Sequence, residues 1–169
     1  MRSASLLPLT LLLATAAPAQ QKPQPFFAER MLAAHNRERA LVGTPPLRWS
    51  EKLAADAAAY LPHLIRLKYL EHSPRASRPG QAENLSLGAA GFHSAEAMVG
   101  FWVAEKKDFV NEPFDRVSRT GNWLDVSHYT QMIWRTTTEV GCAEGTGEQR
   151  TYLVCRYTPK GNRDGQRSH

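Results

Sequence analysis

A single α+β domain is the fold class that this chain predicts, on three observations. Segments of helical hydrophobic period occupy the first part of the chain, and two β-rich runs joined by a glycine-bearing turn follow them. A length of 169 residues with 42% apolar content suffices for one sizeable core, and there is no internal repeat and no sign of a second domain.

Ahead of the first helix, the N-terminus has the pattern of a cleavable export signal. Arg2 supplies the positive start, Leu6 to Ala14 the apolar run, and Ala17-Pro18-Ala19 a small-x-small cleavage site. The run is too short to span a bilayer comfortably, and no later stretch is long and apolar enough to do so. The protein is therefore expected to be secreted, to the extracellular space or the periplasm, and not to be an integral membrane protein. The expected divisions are a signal peptide at 1–19, a polar Pro-bearing leader at 20–25, one domain at 26–162 and a polar tail at 163–169. The net charge of +5 favours, for an exported protein, anionic cell-surface components over nucleic acid, although solubility alone explains a charge of this size. Two cysteines, Cys142 and Cys155, suit an oxidising compartment.

The first helix is expected from Phe26, with Phe27, Met31 and Ala34 at helical spacing and Gly43 and Pro45-Pro46 ending it. His35 and Arg39 lie four apart on one face of it, a spacing that suggests a structural role. A second helix follows Ser50, a suitable N-cap, with Leu53, Ala57, Leu61 and Leu64 as its stripe. Pro62 falls inside this pattern and is expected to kink or end the helix. His72 stands near the start of a loop because Pro74 disfavours helix at Ser73. That loop is expected to run through Pro79-Gly80 to Leu85, carrying Glu83 and Asn84 in partial burial.

Ser94 caps a third helix, Ala95 to about Phe109, whose apolar face holds Met98, Phe101, Trp102 and Glu105. A carboxylate on such a stripe needs a charged or hydrogen-bonding partner. A loop over 111–122 leads to Ser127-His128-Tyr129-Thr130-Gln131-Met132-Ile133-Trp134, where polar side chains adjoin a solid apolar block and each needs a partner if buried. Residues 139–143 and 152–157 read as antiparallel strands around a turn, so that Cys142 and Cys155 can meet across them. A bridge there is worth about 3 kcal/mol; a metal-binding Cys pair is the alternative.

Taken together, AHNRER (34–39), LEHSP (70–74), AENL (82–85), FWVAE (101–105), SHYTQMIW (127–134), VGCA (140–143) and LVCRYTPKGN (153–162) resemble the CAP superfamily. This is the group of cysteine-rich secretory proteins, antigen 5 and plant pathogenesis-related proteins. The resemblance implies a three-layer α-β-α sandwich with a central antiparallel sheet. It also implies a cleft lined by His72, Glu83, Glu105 and His128, with Zn²⁺ or another divalent cation held through the two histidines. Tyr129, Gln131 and Asn84 are expected to support that cleft by hydrogen bonds. A sterol, a fatty acid or an anionic cell-surface component is the expected partner, and the chain is expected to act as a monomer. Two departures stand out: Ala82 replaces the glycine that usually precedes the family's Glu-Asn-Leu, and only one cysteine pair is present, as in compact bacterial members.

Chemically, two neutral imidazoles with water and a carboxylate could complete a tetrahedral zinc shell, with Glu83 and Glu105 as ligands or as groups that orient the histidines. A structural cluster of imidazoliums and carboxylates is the other way to satisfy the same residues. No HExxH and no GxSxG is present. A binding protein is therefore the expected function, and a secreted peptidase or cell-wall glycan hydrolase using the same cleft is the alternative.

Overall fold

A computed structural model describes residues 26–169; the expected signal peptide and leader lie outside the described residues. The principal elements are α1 (Phe27–Leu41), β1 (Arg48–Trp49), α2 (Glu51–Leu67), β2 (Ala82–Ala89), α3 (Ala95–Ala104), α4 (Ser127–Ile133), β3 (Glu139–Thr146) and β4 (Arg150–Thr158), with short 3₁₀ turns between them. The strands form one sheet in the order β1-β3-β4-β2. The three long strands are antiparallel neighbours, and the two-residue β1 adds a parallel edge against β3.

Alternation along β4 divides the core into two halves. Tyr152 and Val154 point to one face and pack with Ala57, Leu61 and Leu64 of α2. Leu153, Cys155 and Tyr157 point to the other and pack with residues of α1, α3 and α4, among them Met31, Met98, Trp102 and Met132. Both faces are thus covered by helices, which is the α-β-α sandwich. Cys142 and Cys155 are direct register partners and form a disulfide inside the larger cluster. At Gly141 an added Cβ would stand 2.2 Å from the Ala54 backbone nitrogen, so only glycine lets the start of α2 lie this close to β3.

Two local expectations are corrected. The helix does not end at Pro62: α2 continues to Leu67. Pro62 is on the exposed side, where water can satisfy the carbonyl its missing N–H leaves open, while buried Leu61 and Leu64 hold the opposite face. The stretch Ala82 to Leu85 is strand rather than loop, the first half of β2, paired along eight residues with β4. Its residues are buried on both faces, so the alternation that marks a half-exposed strand is missing.

The polar residues of α1 are structural, as their spacing suggested. The Arg39 guanidinium is fully buried and donates to the carbonyls of Pro45, Met132, Trp134 and Thr137 at 2.6–3.0 Å. Five rigid donors on one planar group are what allow one side chain to gather carbonyls from two loops. His35 donates from Nδ1 to the Met31 carbonyl at 2.7 Å, which leaves Nε2 to accept from the Tyr157 hydroxyl at 2.8 Å. Asn84 then donates to the Tyr157 oxygen at 3.2 Å and to the His128 carbonyl at 3.0 Å. One buried relay therefore links α1, β4, β2 and α4.

Burial pushes the His35 pKa down from 6.5 to about 4. Its folded pKa is depressed, so stability is complete above 6.5 and is lost as pH falls towards 4. Urea unfolding between these pH values is expected to reveal a loss of about 3 kcal/mol that His35→Gln removes from the profile, because Gln carries no titrating proton.

Candidate functional site

Edge strand β2 decides where the site forms. Its neighbouring residues Glu83 and Asn84 point to opposite faces of the sheet, Glu83 to the α2 side and Asn84 to the α4 side. Each reaches a different histidine segment. A cleft of about 700 Å³ opens at this end of the strand, lined by His72, Ala82, Glu83, Asn84, His128 and Gln131 among others. The two histidines thus arrive from different helical layers and share one cavity.

On the α2 side, His72 follows the end of α2 and donates from Nδ1 to Glu83 Oε1 at 2.7 Å. The same oxygen accepts the Ser73 backbone N–H at 3.0 Å, and Oε2 accepts from the Ser73 hydroxyl at 3.0 Å and the Arg156 guanidinium at 2.9 Å. Glu83 and Arg156 are register partners across β2 and β4, so the sheet itself builds this ion pair. Burial pushes the Glu83 carboxyl up, but the His72 hydrogen bond, the Arg156 charge and the Ser73 amide together outweigh it and hold the pKa below its ordinary value.

On the α4 side, Glu105 stands at the end of α3 and accepts from His128 Nδ1 at 2.6 Å through Oε1. Its Oε2 accepts the backbone N–H groups of His128 and Tyr129, both at 3.0 Å, in the first turn of α4. The Trp102 ring stacks beside the His128 ring, with centroids 6.2 Å apart and planes 12° from parallel. Trp102 is held in turn by its indole N–H, which donates to the Leu85 carbonyl at 3.1 Å.

Both imidazoles are therefore fixed in one tautomer, since a carboxylate can only accept and Nδ1 must carry the proton. Neither Nε2 makes a hydrogen bond among the described residues. Glu105 is not a cleft wall; it stands behind His128. The expectation of a carboxylate completing a tetrahedral shell is corrected accordingly: no group of three or more His, Cys, Asp or Glu converges among the described residues. Each carboxylate is already bound to the Nδ1 edge of its histidine. Nor does any observation favour hydrolysis, because the Glu83 side chain is fully buried among its donors.

The supporting residues divide. Asn84 and Gln131 line the cleft and are well satisfied: Gln131 donates to the Thr137 hydroxyl at 3.1 Å and accepts from Gly161 N–H at 2.9 Å. Tyr129 is corrected. Its hydroxyl has no hydrogen-bond partner among the described residues, and its ring packs edge-on against Phe109. Burial pushes its pKa up to about 12. Tyr129 serves by its ring and its backbone N–H, not by its phenol.

Sequence reasoning missed the role of the chain after β4. Thr130 donates to Asn162 Oδ1 and Asn162 donates back to the Ser127 carbonyl, both at 2.8 Å, clamping the start of α4. Gly161 permits that approach, because an added Cβ would lie 2.5 Å from the Trp134 ring. The polar tail stays against the body: Ser168 is buried, and its carbonyl accepts from Arg135 N–H. The glycine in Lys160-Gly161-Asn162 was the available signal of a close approach.

Comparison with known proteins follows the same lines. A model of the cysteine-rich secretory protein family matches residues 32–157. Pathogenesis-related protein 1B of Nicotiana tabacum is 38% identical over 165 residues, covering 96% of this chain and 89% of its own. Pathogenesis-related protein 1A of the same plant is 39% identical over 138 residues, 80% of this chain and 76% of its own. Among solved structures, NaASP2 with Zn²⁺ has a TM-score of 0.73 at 21% identity, with 86% of each chain covered. BmVAL-1 also has a TM-score of 0.73, at 24% identity over 92% of this chain and 86% of its own. Identities this low carry the fold alone.

Glu83→Gln removes the counter-charge of Arg156, whose side chain is only 4% exposed. The variant is expected to lose about 3 kcal/mol of unfolding free energy at neutral pH, measured in urea. The depressed Glu83 pKa means its contribution is complete above the usual carboxylate range and fades as pH falls through the folded value. The difference between wild type and variant is therefore expected to narrow in acid.

Proposed function

The chain belongs to the cysteine-rich secretory protein family, and from that membership we propose that it is an exported binding domain whose cleft takes a divalent cation between His72 and His128. One observation carries the proposal: each imidazole is held through Nδ1 by a carboxylate, with Nε2 left without a protein partner beside a shared cavity. A carboxylate behind a histidine fixes its tautomer and raises its basicity towards a metal. His72 and His128 would be the ligands, and Glu83 and Glu105 would orient them. Zn²⁺ fits imidazole nitrogen, and the NaASP2 structure contains that ion.

Two protein nitrogens are fewer than a closed structural zinc site uses, so the remaining positions are left to water or to a ligand oxygen. A cation held this way would supply a positive, exchangeable contact point in the cleft. Export is part of the same proposal, with cleavage after Ala19, a domain over 26–162 and a monomer as the working form; the disulfide suits that compartment. Binding of a sterol or fatty acid rests on family resemblance alone.

Calorimetric titration with Zn²⁺ is expected to give saturable heat with the wild-type protein and none with the His72→Ala/His128→Ala double variant. Glu105→Gln, which leaves both ligands in place, is expected to weaken binding about 10- to 100-fold. Equal heats from wild type and the double variant would remove the metal from the proposal.

A further inference from the structure

We propose that the ligand of this cleft is an acidic polysaccharide, a chain of uronate sugars; the inference rests on the cleft being the binding site. Its charge comes first. Arg75 and Arg78, from the turn between His72 and β2, line one part of the cavity, and Lys160 and Arg163, from the segment after β4, line another. Arg75, Lys160 and Arg163 form no ion pair among the described residues. The lining holds two acids, and one of them, Glu83, is already committed to His72 and Arg156. The other acid, Asp164, follows Arg163, so the lining keeps an excess of positive charge, contributed by two separate segments, which matches a ligand bearing several anionic groups.

A different wall is apolar. Trp123 and Leu124 line the cleft side by side while 43% and 56% exposed. They are held outward rather than loose. Asp125 accepts from the Thr120 hydroxyl at 2.6 Å and from the Asn122 amide at 3.1 Å, and Asn122 Oδ1 accepts the Leu124 N–H at 3.2 Å. The Phe114 ring braces Trp123 from behind at 5.2 Å. A tryptophan fixed in this way is a preorganised platform for the C–H face of a sugar ring.

An aromatic platform on one wall and unpaired guanidinium and ammonium groups on others match a polymer that alternates apolar ring faces with carboxylates. Nucleic acid would offer rings and charge as well, but the disulfide points to an oxidising compartment. For an anionic lipid, the apolar residues would have to enclose an acyl chain; here they form one wall of an otherwise polar cleft.

The test is calorimetric titration of the purified protein with polygalacturonate. Its fully methyl-esterified form serves as the uncharged control, and phosphatidylserine vesicles serve as the lipid source of negative charge. Wild type is expected to bind polygalacturonate, more weakly as salt rises, and to ignore the ester. Arg75→Ala/Arg163→Ala, both at exposed side chains, is expected to lose more than about tenfold in affinity, and Trp123→Ala about fivefold. Zinc heats of both variants are expected to match wild type, which separates this inference from the metal reading. Equal affinity for the ester, unchanged affinity in both variants, or binding to vesicles without binding to polygalacturonate would overturn it, whatever the zinc titrations give.

Discussion

The Asn84 side-chain amide is the joint on which the rest depends. From the edge strand of the sheet it donates to the Tyr157 hydroxyl within the sheet and to the His128 carbonyl of α4. Behind Tyr157 stands His35, and behind His35 the Met31 carbonyl, so one chain of hydrogen bonds crosses the larger core cluster from α1 to the cleft. In a low-dielectric interior such a chain stabilises only when its donors and acceptors are matched, and both His35 ring nitrogens, the Tyr157 hydroxyl and the Asn84 amide N–H groups are. Moving any one of these elements would leave a buried polar group without a partner, at a cost of about 1–3 kcal/mol. The helical layer and the sheet are therefore held in one register by polar contacts as well as by packing.

The placement of the cleft follows from that joint. A side chain in the interior of a doubly covered sheet reaches one helical layer only. At an edge strand, neighbouring residues reach both, and Glu83 and Asn84 do so. His72 and His128 are thereby brought to one cavity although they come from different layers. Each is stiffened by a carboxylate that is itself fixed by backbone N–H groups, so the cleft is organised before any ligand arrives.

Part of the site was legible from residues alone, and the grouping of the four site residues came from the family resemblance. Glu105 on the apolar stripe of its helix had to find a partner, and the polar group that adjoined an apolar block, His128, is that partner. The two strands, the cysteine pair and the capped helices were legible because turn glycines, period and N-cap chemistry are local signals. The misreadings have physical causes. The first half of β2 hides its alternation because both faces are buried. Pro62 reads as a helix end, yet faces solvent where its missing donor costs little. The Tyr129 phenol reads as a hydrogen-bond donor, yet the backbone N–H beside it takes the available carboxylate.

By itself, then, the sequence determined the mixed class, the helices, the final hairpin and the cysteines that meet across it, since these rest on period, turn chemistry or residue type; the grouping of two histidines with two glutamates came from the family resemblance. Only the tertiary structure decided how those four residues are divided. Each carboxylate is turned to the back of one histidine, rather than all four converging on one point. It likewise decided that Trp123 and the cations from two distant segments share the same cleft. Which side chains meet across a sheet edge depends on strand order and on how two helical layers close over it, and neither is written in the spacing of residues along the chain.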